Sequence, residues 1–207
     1  MEELPHRRFS DELSCWLNAE GEKTLGSIIS TFEQKSFAVL FVLLLGPPAL
    51  PLPTGGATHV LEVIAMLLAL QLLIGHEKVW LPRRWCAVTL AGPRKERFLE
   101  RLLRLIRWLE RRSRPRGRIV FGHRASNVAF GVLAMIGTLG AFVAPPFSGL
   151  DTLPSLGVVL LSLGVLLEDA LIAAVGIVVT AAGITLVVLL GRAAVKGVAE
   201  IATTFQM

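Results

Sequence analysis

Long apolar runs alternate with short charged blocks along this chain. Residues 36–61, 63–75, 125–150, 152–167 and 170–191 hold no Asp, Glu, Lys or Arg. A helix crosses a bilayer with about 20 mostly apolar residues, and the runs at 125–150 and 170–191, of 26 and 22 residues, reach that length. The other runs are short or broken. Phe37 to Leu45 is unbroken apolar sequence that stops at Gly46-Pro47-Pro48, and residues 47–56 carry four prolines and two glycines. Proline lacks the amide donor a helix needs and glycine loosens the backbone, so no helix continues through this stretch. The apolar pattern resumes from Thr58 to Ile74. The second half reads likewise: a span over 127–144, a stop at Pro145-Pro146, a turn over 147–152, a helix from Leu153 to Leu167, and a last span over 170–191.

Three further segments are amphipathic or interfacial. Residues 9–35 predict a helix or helix pair, with Leu25, Ile28, Ile29 and Phe32 on one apolar stripe. Residues 95–112 predict a helix with Phe98, Leu102, Leu105, Ile106 and Leu109 on one face and arginine on the other. Between the first apolar half and this helix, Trp80 and Trp85 stand beside Arg83 and Arg84, the composition of a membrane interface. The chain therefore divides into an amphipathic cytoplasmic segment (1–35), a first membrane repeat (36–75), a basic linker (76–124), a second membrane repeat (125–191) and a tail (192–207).

The halves align at a constant offset of 93 without gaps. Phe37, Val39, Leu40, Pro53, Gly56, Leu67, Leu68, Leu70 and Leu73 then face identical residues at Phe130, Val132, Leu133, Pro146, Gly149, Leu160, Leu161, Leu163 and Leu166. Leucine matches are cheap in so apolar a chain, but a shared Pro-x-x-Gly between two apolar helices is less so. The expected fold is all-α: a polytopic membrane protein of two related, inverted helical repeats, with proline- and glycine-broken or re-entrant segments and an interfacial amphipathic linker helix. Paired breaks in corresponding places point to a transporter-like binding site, with Pro53, Gly56, Pro146 and Gly149 shaping them. Helices that start inside the membrane, near Thr58 and near Thr152, leave amides unpaired and aim their positive ends at the break. On the competing reading, the breaks merely turn two hairpins at the membrane surface.

Composition agrees with this pattern. Of 207 residues 53% are hydrophobic and 18% charged, with mean hydropathy +0.64; soluble domains run near 45–50% apolar and about 25% charged. A soluble enzyme, a disordered chain and a disulfide-stapled secreted domain are excluded as leading readings. The net charge of +5 is unevenly placed. Residues 94–118 hold eleven Lys/Arg against three Glu, a local +8, which leaves the rest of the chain at −3. A basic block between apolar segments belongs in the cytoplasm, where Arg101, Arg104 and Arg107 would meet anionic head groups. Arginine-rich helices also bind phosphate backbones, but membrane flanks already account for these, and no nucleic-acid partner is expected. Cys15 and Cys86 fit no metal spacing and predict no disulfide. The acidic first 35 residues lack the features of a signal peptide.

Polar residues inside the apolar runs are the candidate chemistry. His59 and Glu62 lie one helical turn apart and can share a face and a proton. Intramembrane carboxylates are expensive and mark functional sites by default; at head-group depth the same pair is simply solvated. Gln71 predicts a hydrogen bond across helices. Asp151 reads as the N-cap of the helix from 152, with Pro154 in its first turn, or as a ligand. Glu168 and Asp169 read as a cytoplasmic turn or as a buried acidic pair facing Arg83 or Arg84. His59, Glu62, Asp151 and Glu168 are the candidates for an ion or substrate pathway. Gly-x-Ser-x-Gly, His-Glu-x-x-His, Walker and Cys-x-x-Cys signatures are missing, and His6, His59, His76 and His123 are scattered. No catalytic residue, metal or cofactor is expected.

The motifs together resemble a known family. Leu50-Pro51-Leu52-Pro53-Thr54-Gly55, the run Leu67 to Gly75, and Trp80-Leu81-Pro82-Arg83-Arg84 are similar to the exopolysaccharide-synthesis ExoD family. Pro145-Pro146-Phe147, Leu153-Pro154 and Leu161 to Asp169 resemble its repeated signature, and Thr24-Leu25-Gly26 fits its start, so the likeness covers roughly 10–190. The chain departs from the family at 146–151, where an Asn would precede the Leu-Pro step and Asp151 or Thr152 takes its place. The resemblance implies a bacterial inner-membrane protein linked to exopolysaccharide production and to growth under alkaline stress, and supplies no reaction. The leading expectation is transport of an ion or small polar solute that supports this synthesis. A membrane scaffold acting through the Arg-rich helix is the alternative, and an enzyme on lipid-linked sugar the third. Expected partners are membrane lipids, a second copy of the chain, and polysaccharide-synthesis proteins.

Overall fold

The computed structural model describes residues 9–19, 23–32, 35–50, 57–76, 78–87, 89, 93–113, 124–145 and 148–204. Pro53, Gly56 and Pro146 lie outside the described residues. Among the described residues the chain is all-helical: α1 (Phe9–Asn18), α2 (Leu25–Phe32), α3 (Ser36–Leu45), α4 (Ala57–Ile74), α5 (Arg83–Cys86), α6 (Pro93–Arg112), α7 (Arg124–Val143), α8 (Thr152–Leu166) and α9 (Ala170–Thr204). The limits follow the apolar runs and their breakers. The exception is α9, which passes unbroken into the segment expected as a tail, since no proline interrupts 192–204.

Two short helices form the centre. All ten residues of α3 are buried, and α8 buries ten of its fifteen. Each packs on α4 or α7 so that α3, α4, α7 and α8 close a ring of four, with α9 laid along α8 and α7. Packing of α8 on α9 is tight because glycines let the backbones approach: a Cβ on Gly157 would stand 2.5 Å from the Thr180 amide nitrogen, and one on Gly164 2.4 Å from that of Ala173. Small residues are what close apolar helix pairs require.

Ring neighbours run antiparallel. Lys35, at the head of α3, donates to the Leu166 carbonyl at 3.4 Å and pairs with Glu168 at 3.6 Å, at the foot of α8. Gly131, early in α7, lies against Leu72 late in α4, while the rings of His59 and Phe142 meet at 5.5 Å at their other ends. Gly137 and Gly140 of α7 lie against Val158 and Pro154 of α8. Hence α3 and α7 run one way and α4 and α8 the other. The hairpins α3–α4 and α7–α8 point in the same direction, which corrects the expected inversion. Matched residues at a fixed offset say that two segments are alike; only contacts between them set their relative direction.

The second helix of each hairpin ends in one motif. Gly75 has φ 89 and Glu168 φ 54. The amides of Gly75 and His76 donate to Leu72 and Gln71, at 3.0 and 2.9 Å, and those of Glu168 and Asp169 to Val165 and Gly164, at 3.3 and 2.9 Å. Both are Schellman caps, 93 residues apart.

Outside the ring, α6 turns Leu99, Leu102 and Ile106 into the core and leaves Leu105 exposed. Its buried stripe is thus displaced from the expected one, which had included Leu105 and omitted Leu99. Phe98 lies against Gly46 at the end of α3, and Ser113 donates to Asp169 beyond the foot of α8, at 2.8 Å, so α6 lies along the ring. Arg101, Arg104 and Arg107 are exposed. On α4, α7 and α9 the exposed residues include Val60, Leu67, Ile136, Leu139, Val178 and Leu189. Two stretches, Ala125–Val143 and Ala170–Ala193, are long and apolar enough to cross a membrane.

Candidate functional site

A helix face places His59 and Glu62 together. At a spacing of three they lie one above the other, and His59 Nδ1 stands 2.6 Å from Glu62 Oε2. Glu62 has no exposed surface, and its Oε1 has no hydrogen-bond partner. A buried carboxylate is costly, and a hydrogen bond donated by the imidazole offsets part of that cost while leaving its charge in place.

Across the ring, Asp151 precedes α8. It occupies the N-cap position but does not act as the expected cap: its backbone is helical, at φ −66 and ψ −23, and its side chain makes no capping bond. Side-chain capping requires an extended backbone at that position. The Asp151 carbonyl instead accepts the Ser155 amide at 3.1 Å, and its carboxylate stands near enough for its charge to act on Glu62. Ser155 follows one turn later on the same face, fully buried, with its Oγ unpartnered. The levels agree: Phe142 meets His59 on one side of α7, and Gly140 lies against Pro154 on the other. His59, Glu62, Asp151 and Ser155 therefore gather at one end of the ring, at the starts of α4 and α8.

Glu168 is not with them. It lies at the opposite end of α8, paired with Lys35, about 25 Å away at 1.5 Å per residue. Asp169 is buried beside it, accepting the Leu171 amide at 2.9 Å and the Ser113 hydroxyl. Of the two arginines expected to face this acidic pair, the Arg83 side chain lies outside the described residues. Gly149, with φ 68, supplies the left-handed residue of the turn before α8. Gln71 does not reach another helix as expected; its amide takes both backbone groups of Trp80, at 2.8 and 3.0 Å. Ser155 was missed in the sequence, although the offset of 93 sets it opposite Glu62.

The arrangement is rich in acceptors and holds one titratable imidazole. It can bind and release a proton, or a small species bearing positive charge or hydrogen-bond donors. Among the described residues no group of three His, Cys, Asp or Glu could hold a metal ion.

Comparison with known proteins adds a family and a relative. The model of the family described as "Exopolysaccharide synthesis, ExoD" matches residues 9–189. An uncharacterized protein of Synechocystis is 26% identical over 174 residues, covering 83% of this chain and 81% of its own length. No solved structure matches the chain.

Proposed function

The chain belongs to the exopolysaccharide-synthesis ExoD family, and from that premise we propose that it is a membrane protein moving an ion or small polar solute in support of exopolysaccharide synthesis. The observation that carries this reading is Glu62: a fully buried carboxylate, bonded to His59 through one oxygen only and facing the charge of Asp151. Packing alone gives no reason to keep such a group in an apolar bundle, because burying it costs free energy that a leucine would not.

Exposed apolar residues on α4, α7 and α9 support the membrane placement, since a water-facing surface of this kind would be an association patch. Acyl chains fit that flank. The arginines of α6 cannot face acyl chains, so their flank meets head groups, water or protein. The matched Schellman caps and the closed ring support two repeats related by a two-fold along the bundle, with the site at the start of the second helix of each.

Reconstituted vesicles test the transport reading. Glu62→Gln and Asp151→Asn are each expected to cut proton or cation flux at least tenfold against the unaltered chain. Flux unchanged in both would overturn it. A second reading rests on the exposed arginine face of α6: a scaffold that organises polysaccharide-synthesis proteins. Unchanged flux together with lost partner recruitment in Arg101→Gln, Arg104→Gln, Arg107→Gln would favour it.

A further inference from the structure

The two buried oxygens without a partner, Glu62 Oε1 and Ser155 Oγ, are 93 residues apart. That is the separation of the two Schellman caps at Gly75 and Glu168, and of the residue matches between the halves. They are therefore equivalent positions, one on α4 and one on α8, at the same level of the ring. Two unrelated packing faults would not fall on equivalent positions; a shared ligand position explains both.

We propose that Glu62 Oε1 and Ser155 Oγ are the two open ligands of a single binding position for one small monovalent cation, with Asp151 as its second negative charge. This deepens the transport reading and rests on it. Charge balance selects the occupant. Two carboxylates contribute −2, and the starts of two helices contribute about +0.5 each. With His59 neutral the site is left near −1, which one positive charge balances and a divalent ion exceeds. The acceptors agree: Glu62 Oε1 accepts only, and a hydroxyl oxygen also coordinates. Either an alkali cation or a protonated water has this chemistry. Groups that titrate beside Glu62 are His59 on its own helix and Asp151 before α8. Gly140, Ala141 and Phe142 of α7, and the whole of α3, bring none.

The test uses the full chain in detergent micelles, with thermal unfolding followed in LiCl, NaCl or KCl against choline chloride at equal ionic strength, and again on acidification in choline. A ligand that binds the folded state raises the unfolding midpoint with concentration. An alkali cation as occupant raises it over choline, whereas a protonated water raises it on acidification alone. In either case Ser155→Ala is expected to need about tenfold more cation or acid for the same rise, a lost hydrogen bond's worth, and Glu62→Gln to lose the response. Ser155→Ala removes a hydroxyl with no partner, so its midpoint in choline stays at or above that of the unaltered chain. A Ser155→Ala response equal to the unaltered one, or no response to either cation or acid in the unaltered chain, overturns the proposal. Flux lost without this result, or binding retained without flux, separates its failure from that of the transport reading.

Discussion

A carboxylate with no exposed surface has to be held by something, and at Glu62 the imidazole of His59 does half of that, at 2.6 Å. Removing the imidazole should therefore cost more than removing both groups. His59→Leu is expected to lower stability by about 2 kcal/mol, while His59→Leu with Glu62→Leu recovers most of it. Reversible unfolding in detergent checks this; equal losses in both would mean the pair is not coupled. Glu168 offers a second test at this scale. Its φ of 54 is a glycine-like position in a Schellman cap, and its ion pair with Lys35 is half exposed and worth at most about 1 kcal/mol. Glu168→Gly should leave stability within about 1 kcal/mol, since relief of the backbone offsets the lost pair. Glu168→Val should lose roughly 2 kcal/mol, because a branched side chain does not tolerate that backbone.

Among the helices, α8 is the one most constrained from every side. It meets α3, α7 and α9, and its glycines lie where neighbouring backbone leaves no room for a side chain. Gly157→Leu should therefore unfold the α8–α9 pair well before the unaltered chain, by about 6–12 °C if the loss reaches about 3 kcal/mol. Gly191, also within α9, has nothing within 4 Å of an added Cβ. Gly191→Ala should raise stability by up to about 1 kcal/mol through helix propensity. A destabilising Gly191→Ala would show that α9 has a neighbour on that side. The apolar helices were legible because their ends coincide with Pro47-Pro48, Gly75 and Pro145, where backbone chemistry alone stops a helix. The face of α6 was harder to read. Leu99, Leu102, Leu105, Ile106 and Leu109 offer overlapping stripes, and which of them is buried depends on the surface it meets.

The molecule as a whole has two unlike flanks, apolar on α4, α7 and α9 and basic on α6. Vesicles carrying anionic lipid should bind the chain more tightly than neutral ones. Arg101→Gln, Arg104→Gln and Arg107→Gln together should weaken that preference and its salt dependence, at about 1 kcal/mol per arginine near the surface. Flotation of the variant and the unaltered chain over a salt series reads this out, and an unchanged salt dependence would place the arginines away from lipid. The apolar runs, their breakers, the basic block and the residue matches at an offset of 93 are all legible in the sequence itself, because each depends on residue type and spacing along one strand of chain. Three things waited for the tertiary structure: that the hairpins point the same way, that Asp151 lies at the Glu62 end of the ring while Glu168 lies at the other, and that Ser155 stands buried without a partner. Each of these is a relation between residues distant in sequence, set by how the four ring helices pack, and no local pattern encodes it.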